Sequence, residues 1–93
     1  MTATGRGQAA ARVTVRYWAA ARDAAGVAEE TVVAHTLAEL LTVVAARHGA
    51  TLPAVLRRCS YLVDDQPVGR RDPARVLLPD GAVIEALPPF AGG

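Results

Sequence analysis

Apolar and polar residues alternate over residues 12–18, RVTVRYW, with Val13, Val15 and Tyr17 on one side of the chain. A period of two is typical of a strand with one buried face, so this segment predicts the first strand. Trp18 falls out of phase with the apolar set, which places its side chain on the opposite face of the predicted sheet.

A second strand is predicted over residues 29–35, EETVVAH, because β-branched residues are concentrated there. Between the two strands, AAARDAAG breaks the alternation and ends at Gly26, so we interpret it as a loop.

One amphipathic helix is predicted directly after the second strand. Apolar residues and one histidine recur there at steps of three and four: Leu37, Leu40, Leu41, Val44 and His48. Thr36 followed by Glu39 has the spacing of a capping box, and Gly49 supplies a stop signal.

The second half of the chain predicts shorter elements. Residues 52–58 have room for a turn or two of helix, with Pro53 at an allowed first-turn position. Residues 60–65, SYLVDD, predict a strand, and Asp64 to Pro67 predict a turn into a short strand near Val68.

The last strand is predicted over residues 82–87, AVIEAL, after the Pro79-Asp80-Gly81 turn. Pro88 and Pro89 cannot donate to a ladder, so strand pairing should end there. The resulting order of elements favours an α+β, ubiquitin-like β-grasp fold, a mixed four- to five-stranded sheet with one main helix on one face. We expect a flexible tail over residues 1–11, a domain over 12–88 and an extended tail over 89–93.

The composition excludes several classes of protein. A chain of 93 residues with a net charge of +1 has room for one small domain and lacks the basic excess of a nucleic-acid partner. The single cysteine excludes an internal disulfide and favours a cytoplasmic location, and no segment predicts secretion or membrane insertion. All ten basic residues are arginine, so no side chain of this sequence can accept a lysine isopeptide bond.

Residues that carry out chemistry are sparse. His35 and His48 lie on different elements without further metal ligands beside them, so we expect no metal site. Cys59 is interpreted as a buried apolar residue and Asp64-Asp65 as a solvated turn. An arginine patch at Arg70, Arg71 and Arg75 is interpreted as a solvated loop.

The final residues suggest chemistry at the end of the chain and not inside the fold. Gly92 and Gly93 lack side chains and could enter a channel too narrow for other residues, and Pro88-Pro89 would hold the chain extended behind them. A carboxylate is a poor electrophile, but joining it to AMP at the expense of ATP makes a mixed anhydride that a sulfur nucleophile can attack. Without other information, the glycine pair is equally consistent with a frayed end.

Four segments together resemble the MoaD/ThiS family of sulfur carriers. They are VTVRYWAAARDAAG, TLAELL, CSYLVDD and LPDGAVIEALPPFAGG, and the resemblance covers residues 12–93. Within that family the sequence is most similar to the small subunits of molybdopterin synthase.

The resemblance implies a carrier that is not catalytic alone and binds no cofactor. An E1-like adenylyltransferase would use ATP to adenylate Gly93, and a sulfur donor acting through a sulfurtransferase would convert it to a thiocarboxylate. The large subunit of molybdopterin synthase, in a heterotetramer of two small and two large subunits, would then pass the sulfur to cyclic pyranopterin monophosphate. The same family also supplies sulfur for thiamine, cysteine and other metabolites, and a non-catalytic β-grasp binding module is a further alternative.

The resemblance also implies site residues. Gly93 carries the chemistry, preceded in the tail by Phe90, Ala91 and Gly92. Apolar or basic positions that match a partner-facing patch are Trp18, Arg22, Val68 and Leu87.

Overall fold

Five strands form one mixed sheet whose centre is a parallel pair from the two ends of the chain. In the computed structural model, which describes residues 11–89, the strands are β1 Arg12–Tyr17, β2 Glu29–Val33, β3 Ser60–Val63, β4 Gln66–Pro67 and β5 Val83–Leu87. Their order is β2-β1-β5-β3-β4, with β1 parallel to β5 and the other neighbours antiparallel. The predicted mixed sheet is confirmed.

The main helix spans Leu37–Arg47, and we number it α2 because a shorter helix precedes it in the chain. Thr36 Oγ1 accepts a hydrogen bond from the Glu39 N–H at 3.1 Å, as the capping box predicts. The Glu39 carboxylate, however, accepts from the N–H of His35 rather than from that of Thr36. The helix ends because His48 turns to an extended conformation. A shorter helix, Thr51–Leu56, follows with Pro53 in its first turn, and Pro73–Arg75 form a 3₁₀ turn.

The segment interpreted as a loop after β1 is instead a helix, and that interpretation was wrong. We number this helix, Ala19–Ala25, as α1 and the helix Thr51–Leu56 as α3. Five of the seven residues of α1 are alanine, the residue with the highest helix propensity. Gly26, at a φ of 79°, ends the helix in the left-handed conformation, and its N–H donates to the carbonyl of Arg22 at 2.8 Å.

The core lies between the inner face of the sheet and α2. The alternation predicted for β1 is confirmed, since Val13, Val15 and Tyr17 are at most 2% exposed. Ile84 and Ala86 of β5 line the same face and are fully buried. Of the stripe predicted on α2, Leu37, Leu40 and Val44 are buried, whereas Leu41 is half-buried and His48 lies just after the helix.

One polar cluster, made of Tyr17, Glu30, Arg47 and His48, joins the sheet to the end of α2. One oxygen of Glu30, Oε2, lies 2.5 Å from the Tyr17 hydroxyl and 2.6 Å from His48 Nε2. The other oxygen lies 3.0 Å from Arg47 Nη1, which also donates to the carbonyl of Thr31. We call these four residues the Glu30 cluster.

The Glu30 cluster changes how its members titrate. Burial alone would raise the pKa of Glu30, but hydrogen bonds from Tyr17, His48 and Arg47 outweigh it and hold that pKa below its usual value. Burial and the adjacent Glu30 raise the pKa of Tyr17. The cluster therefore contains an ionised carboxylate and a neutral phenol at neutral pH.

At its beginning, the described chain is already part of the fold. Ala11 is 9% exposed, and its carbonyl accepts from the N–H of Ala34 at 2.9 Å. Residues 1–10 and 90–93 lie outside the described residues, so the predicted tails stay predictions. Between residues 11 and 89, no helix has the length and hydropathy needed to cross a membrane.

Candidate functional site

The end of the chain leaves the sheet beside the end of β1. Because β1 and β5 are parallel and Tyr17 pairs with Ala86, Trp18 and Leu87 come next to each other. The N–H of Trp18 donates to the carbonyl of Ala86 at 3.3 Å. Pro88 is then buried and Pro89 exposed. The residues predicted for the reactive tail, Phe90, Ala91, Gly92 and Gly93, lie outside the described residues.

Trp18 lies on the open face of the sheet, as its phase in the sequence predicts. Its residue surface is 42% exposed, although its ring is held from two sides. The indole Nε1 donates to Glu85 Oε1 at 3.0 Å, and the Cζ atom of Arg16 lies 5.4 Å from the ring centroid. An exposed tryptophan in a defined orientation can anchor a partner with little loss of side-chain entropy.

Arg22 and Leu87 lie near this tryptophan. Arg22 projects from α1 and lines a cleft of about 110 Å³ whose other lining residues include Arg16, Trp18 and Glu29. Within residues 11–89, Arg22 forms no ion pair. Leu87 is half-buried on the outer face of β5. These three predicted residues therefore border the place where the chain leaves the sheet, and we call Trp18, Arg22 and Leu87 the Trp18 patch.

The structure places Val68, the fourth predicted patch residue, in the core. Val68 is 5% exposed and its N–H donates to the carbonyl of Tyr61 at 2.9 Å. A buried side chain offers no contact area to a partner, so Val68 is not part of the patch in this structure. The sequence could not settle this, because β4 has two residues and a shift of one residue reverses which way a side chain points.

Two further residues, which the sequence analysis did not select, lie beside the Trp18 patch. Arg16 and Glu85 both contact the Trp18 ring, from β1 and β5 respectively. The sequence did contain this information. Arg16 is two residues before Trp18 and Glu85 is two before Leu87, and the period of two in a strand places all four on one face.

The described residues hold little that could serve as an active site. No group of three histidine, cysteine or acidic side chains comes together within residues 11–89. Cys59 is half-buried with its Sγ 3.4 Å from the carbonyl of Val55, and burial raises the pKa of this thiol to about 11. Since the thiolate is the nucleophile, Cys59 is poorly suited to attack at neutral pH. The arrangement is that of a binding surface next to a chain end.

Known structures share this fold. The small archaeal modifier protein 1 of Methanosarcina acetivorans is 22% identical with a TM-score of 0.77, covering 90% of this chain and 98% of that one. Urm1 of Trypanosoma brucei is 15% identical with a TM-score of 0.67, covering 90% of this chain and 97% of that one. A chain in the complex of subunits 1 and 2 of the molybdopterin-converting factor from Helicobacter pylori is 27% identical, with a TM-score of 0.66 and coverages of 88% and 99%.

These likenesses, with the mixed sheet and the packed helix, define a ubiquitin-like β-grasp protein. The chain belongs to the ThiS family, whose model matches residues 15–93. The predicted resemblance to the MoaD/ThiS sulfur carriers is therefore confirmed. No curated protein matches the sequence.

Proposed function

We propose that this protein is a sulfur carrier whose Gly93 is adenylated and then thiocarboxylated, and that it donates the sulfur to cyclic pyranopterin monophosphate in molybdopterin biosynthesis. In this proposal it is the small, non-catalytic subunit of a molybdopterin synthase. The activating partner, an E1-like adenylyltransferase, consumes the ATP, and a sulfurtransferase delivers the sulfur.

The observation that carries the proposal is the family match, which runs through residue 93 and so includes the glycine pair. The described structure supports it in two ways. Strand β5 leads the chain out beside the Trp18 patch, where a partner could hold the domain while it receives the tail. The chain between residues 11 and 89 also offers no metal-binding cluster or activated thiol of its own.

The proposed chemistry takes place entirely at the end of the chain. A carboxylate oxygen of Gly93 attacks the α-phosphorus of ATP, and pyrophosphate leaves. The outer sulfur of a persulfide on the sulfurtransferase then attacks the acyl carbon and displaces AMP, which gives an acyl disulfide. A second thiol attacks the donor's sulfur in that disulfide, so the thiocarboxylate leaves and the two thiols end as a disulfide. The folded domain contributes binding and orientation, since a positioned substrate reacts faster than a free one.

The choice of molybdopterin as the product has weaker support than the carrier chemistry. The Helicobacter pylori relative is the first subunit of a molybdopterin-converting factor in complex with the second. By analogy, we propose a large subunit as the partner that covers the Trp18 patch and receives the tail.

Sulfur loading tests the carrier function directly. We expect the purified protein, incubated with its E1-like enzyme, ATP and a sulfur donor, to gain the mass difference of one sulfur in place of one oxygen. Tandem mass spectrometry should locate the change at Gly93. The Cys59→Ala variant should load as well as the native chain, because the thiol is half-buried and its pKa is raised. Absence of loading with any activating enzyme, or loss of loading in Cys59→Ala, would contradict the proposal.

A separate assay tests whether the carried sulfur is used for molybdopterin. The loaded protein and a large synthase subunit should convert cyclic pyranopterin monophosphate to molybdopterin. If the loaded protein instead supplied sulfur only to thiazole or cysteine synthesis, the carrier function would stand and the molybdopterin assignment would be wrong.

Replacing Trp18 with alanine should weaken binding of the large subunit by about 1.5–2 kcal/mol, or ten- to thirtyfold in Kd. The indole presents the largest exposed ring of the patch and is already oriented by Glu85 and Arg16. Isothermal titration calorimetry measures the change. The control is Leu77→Ala, because Leu77 is 74% exposed but bridges Thr36, away from the end of β5. Equal effects of the two substitutions would show that the Trp18 patch is not the interface.

A further inference from the structure

A second surface, unrelated to the Trp18 patch, runs along the side of the molecule between α2 and α3. Two adjoining cavities of about 330 and 250 Å³ share Leu41, Leu56 and Arg57. Leu41 and Ala45, both half-buried, line them from α2 one turn apart, so the open part of this helix face is about 6 Å long. The cavities together form one elongated groove with an apolar floor.

Arginines surround this groove. Arg57 follows α3, and Arg70 and Arg71 lie in the loop after β4, all three exposed and all three lining the larger cavity. Within residues 11–89, neither Arg57 nor Arg70 forms an ion pair. We call this surface, with its floor of the half-buried Leu41, Ala45 and Pro53 and its rim of Arg57, Arg70 and Arg71, the arginine groove.

The rim carries three positive charges, and one acid, Asp72, follows Arg71 along the chain. No aspartate or glutamate lines either cavity in the described part of the chain. The neighbouring Asp72 is already engaged, since its Oδ1 accepts from the N–H of Ala74 at 2.9 Å. Arg71 is held in place, because its side chain donates to the carbonyls of Val68 and Pro67. A positioned guanidinium of this kind favours a carboxylate with matching geometry.

We infer that the arginine groove docks an acidic, amphipathic segment of a partner protein. The apolar floor would receive one row of apolar side chains, in the manner of a helix laid in a groove, and the three arginines would face the carboxylates beside that row. The open stripe along α2 has the length of about one helical turn, which suits a short segment.

Charge and shape favour a protein segment over a polyanion. Nucleic-acid surfaces combine a large basic excess with aromatic side chains for stacking, whereas this chain has a net charge of +1. Tyr61, the aromatic residue in the lining, uses its hydroxyl to bond the carbonyl of Leu56 at 2.7 Å and burial raises its pKa. A floor of Leu41, Ala45 and Pro53 matches apolar side chains better than phosphates.

The groove and the Trp18 patch lie on opposite sides of the sheet. Tyr61 reaches the groove from the inner face, which α2 covers, whereas Trp18 and Leu87 lie on the outer face. A partner in the arginine groove therefore leaves the end of β5 accessible. The inference is independent of the proposed sulfur chemistry, and either can fail without the other.

A designed peptide tests this docking. The probe is a fluorescein-labelled peptide of about 14 residues, roughly four helical turns, with leucines at steps of three and four among glutamates. Fluorescence anisotropy with the full chain should show saturable binding that weakens as salt rises from low to physiological concentration. A peptide with lysine in place of every glutamate should not bind.

Variants locate the binding on the molecule. Arg57→Glu combined with Arg70→Glu should weaken the peptide about tenfold or more, because two attractive contacts become repulsive. The control is Arg12→Glu combined with Arg58→Glu, which changes the net charge equally at exposed sites that line neither cavity and lie outside the Trp18 patch. Ala45→Phe should also weaken binding by filling the groove. All these positions are at least partly exposed, and circular dichroism verifies their folding.

The results with these variants distinguish docking in the arginine groove from its alternatives. Binding that Arg57→Glu/Arg70→Glu and Ala45→Phe reduce, and that the control leaves unchanged, supports the inference. Equal effects of both charge reversals, or no effect of Ala45→Phe, would overturn it. Tighter binding of a single-stranded RNA or of anionic phospholipid vesicles at the same arginines would overturn the assignment to a protein partner.

Discussion

Deleting Gly93 is expected to slow sulfur loading at least about 100-fold. The new terminal carboxyl, on Gly92, would be withdrawn from the activating enzyme by about 3.4 Å, the length of one extended residue. Misplacement of a reacting group by about 1 Å can already cost two orders of magnitude. Quenched samples of the deleted and native chains, compared by intact-mass spectrometry, give the two rates.

The deletion has clear controls. Thermal unfolding of the shortened chain should match that of the native chain, because β5, the last strand of the described residues, ends at Leu87, well before Gly93. Its affinity for the large subunit through the Trp18 patch should be largely retained, so that the loss is specific to loading. Loading of the shortened chain at the native rate would show that Gly93 is not the reactive residue.

Replacing Glu30 with glutamine should lower the free energy of unfolding by about 2–3 kcal/mol. The native carboxylate accepts hydrogen bonds from Tyr17, Arg47 and His48, and an amide of the same shape cannot serve all three donors. For a domain of this size the loss corresponds to a fall in Tm of roughly 10–20 °C. Urea unfolding, followed by circular dichroism, measures the difference.

The effect of Glu30 should also depend on pH. Its pKa is lowered in the folded state, so the ionised carboxylate stabilises the fold above the unfolded-state pKa of about 4.3. This contribution is lost as pH falls through the lowered folded-state pKa. The gap in stability between the native chain and Glu30→Gln should therefore shrink as the pH falls below about 4.

The neighbouring carboxylate provides a matched control. Glu29 is 59% exposed at its side chain and lies 3.6 Å from Arg16, so Glu29→Gln should cost no more than about 0.5 kcal/mol. Similar losses for Glu29→Gln and Glu30→Gln, or a gap that does not change with acid, would show that the Glu30 cluster does not hold the end of α2 to the sheet.

Prediction from the sequence failed most clearly at α1 and at Val68. The alternation of β1 and the Thr36 cap of α2 involve neighbours along the chain, and both were predicted correctly, whereas the Glu39 carboxylate accepts from His35 and not from Thr36. An alanine-rich run has high helix propensity but a weak apolar signal, so α1 was interpreted as a loop. The burial of Val68 depends on how Leu62 and Pro67 pair, which local sequence does not specify.

The candidate site also combines features that the sequence predicted with features that only the structure shows. The period of two predicted the outward-facing tryptophan, and the resemblance to the sulfur carriers, added to the residue types of the tail, predicted a reactive glycine end behind two prolines. It also excluded a lysine-linked chain of this protein, because no lysine is present.

Only the tertiary structure brought Arg16, Trp18 and Glu85 into contact, and only it formed the arginine groove from three separate elements. It also joined Tyr17, Glu30 and His48 across 31 residues of sequence. The physical reason is that local sequence determines which way each side chain points on its own strand or helix. Which strands pair, in which register, and against which helix depends on the burial of the whole core, and those contacts decide which side chains meet.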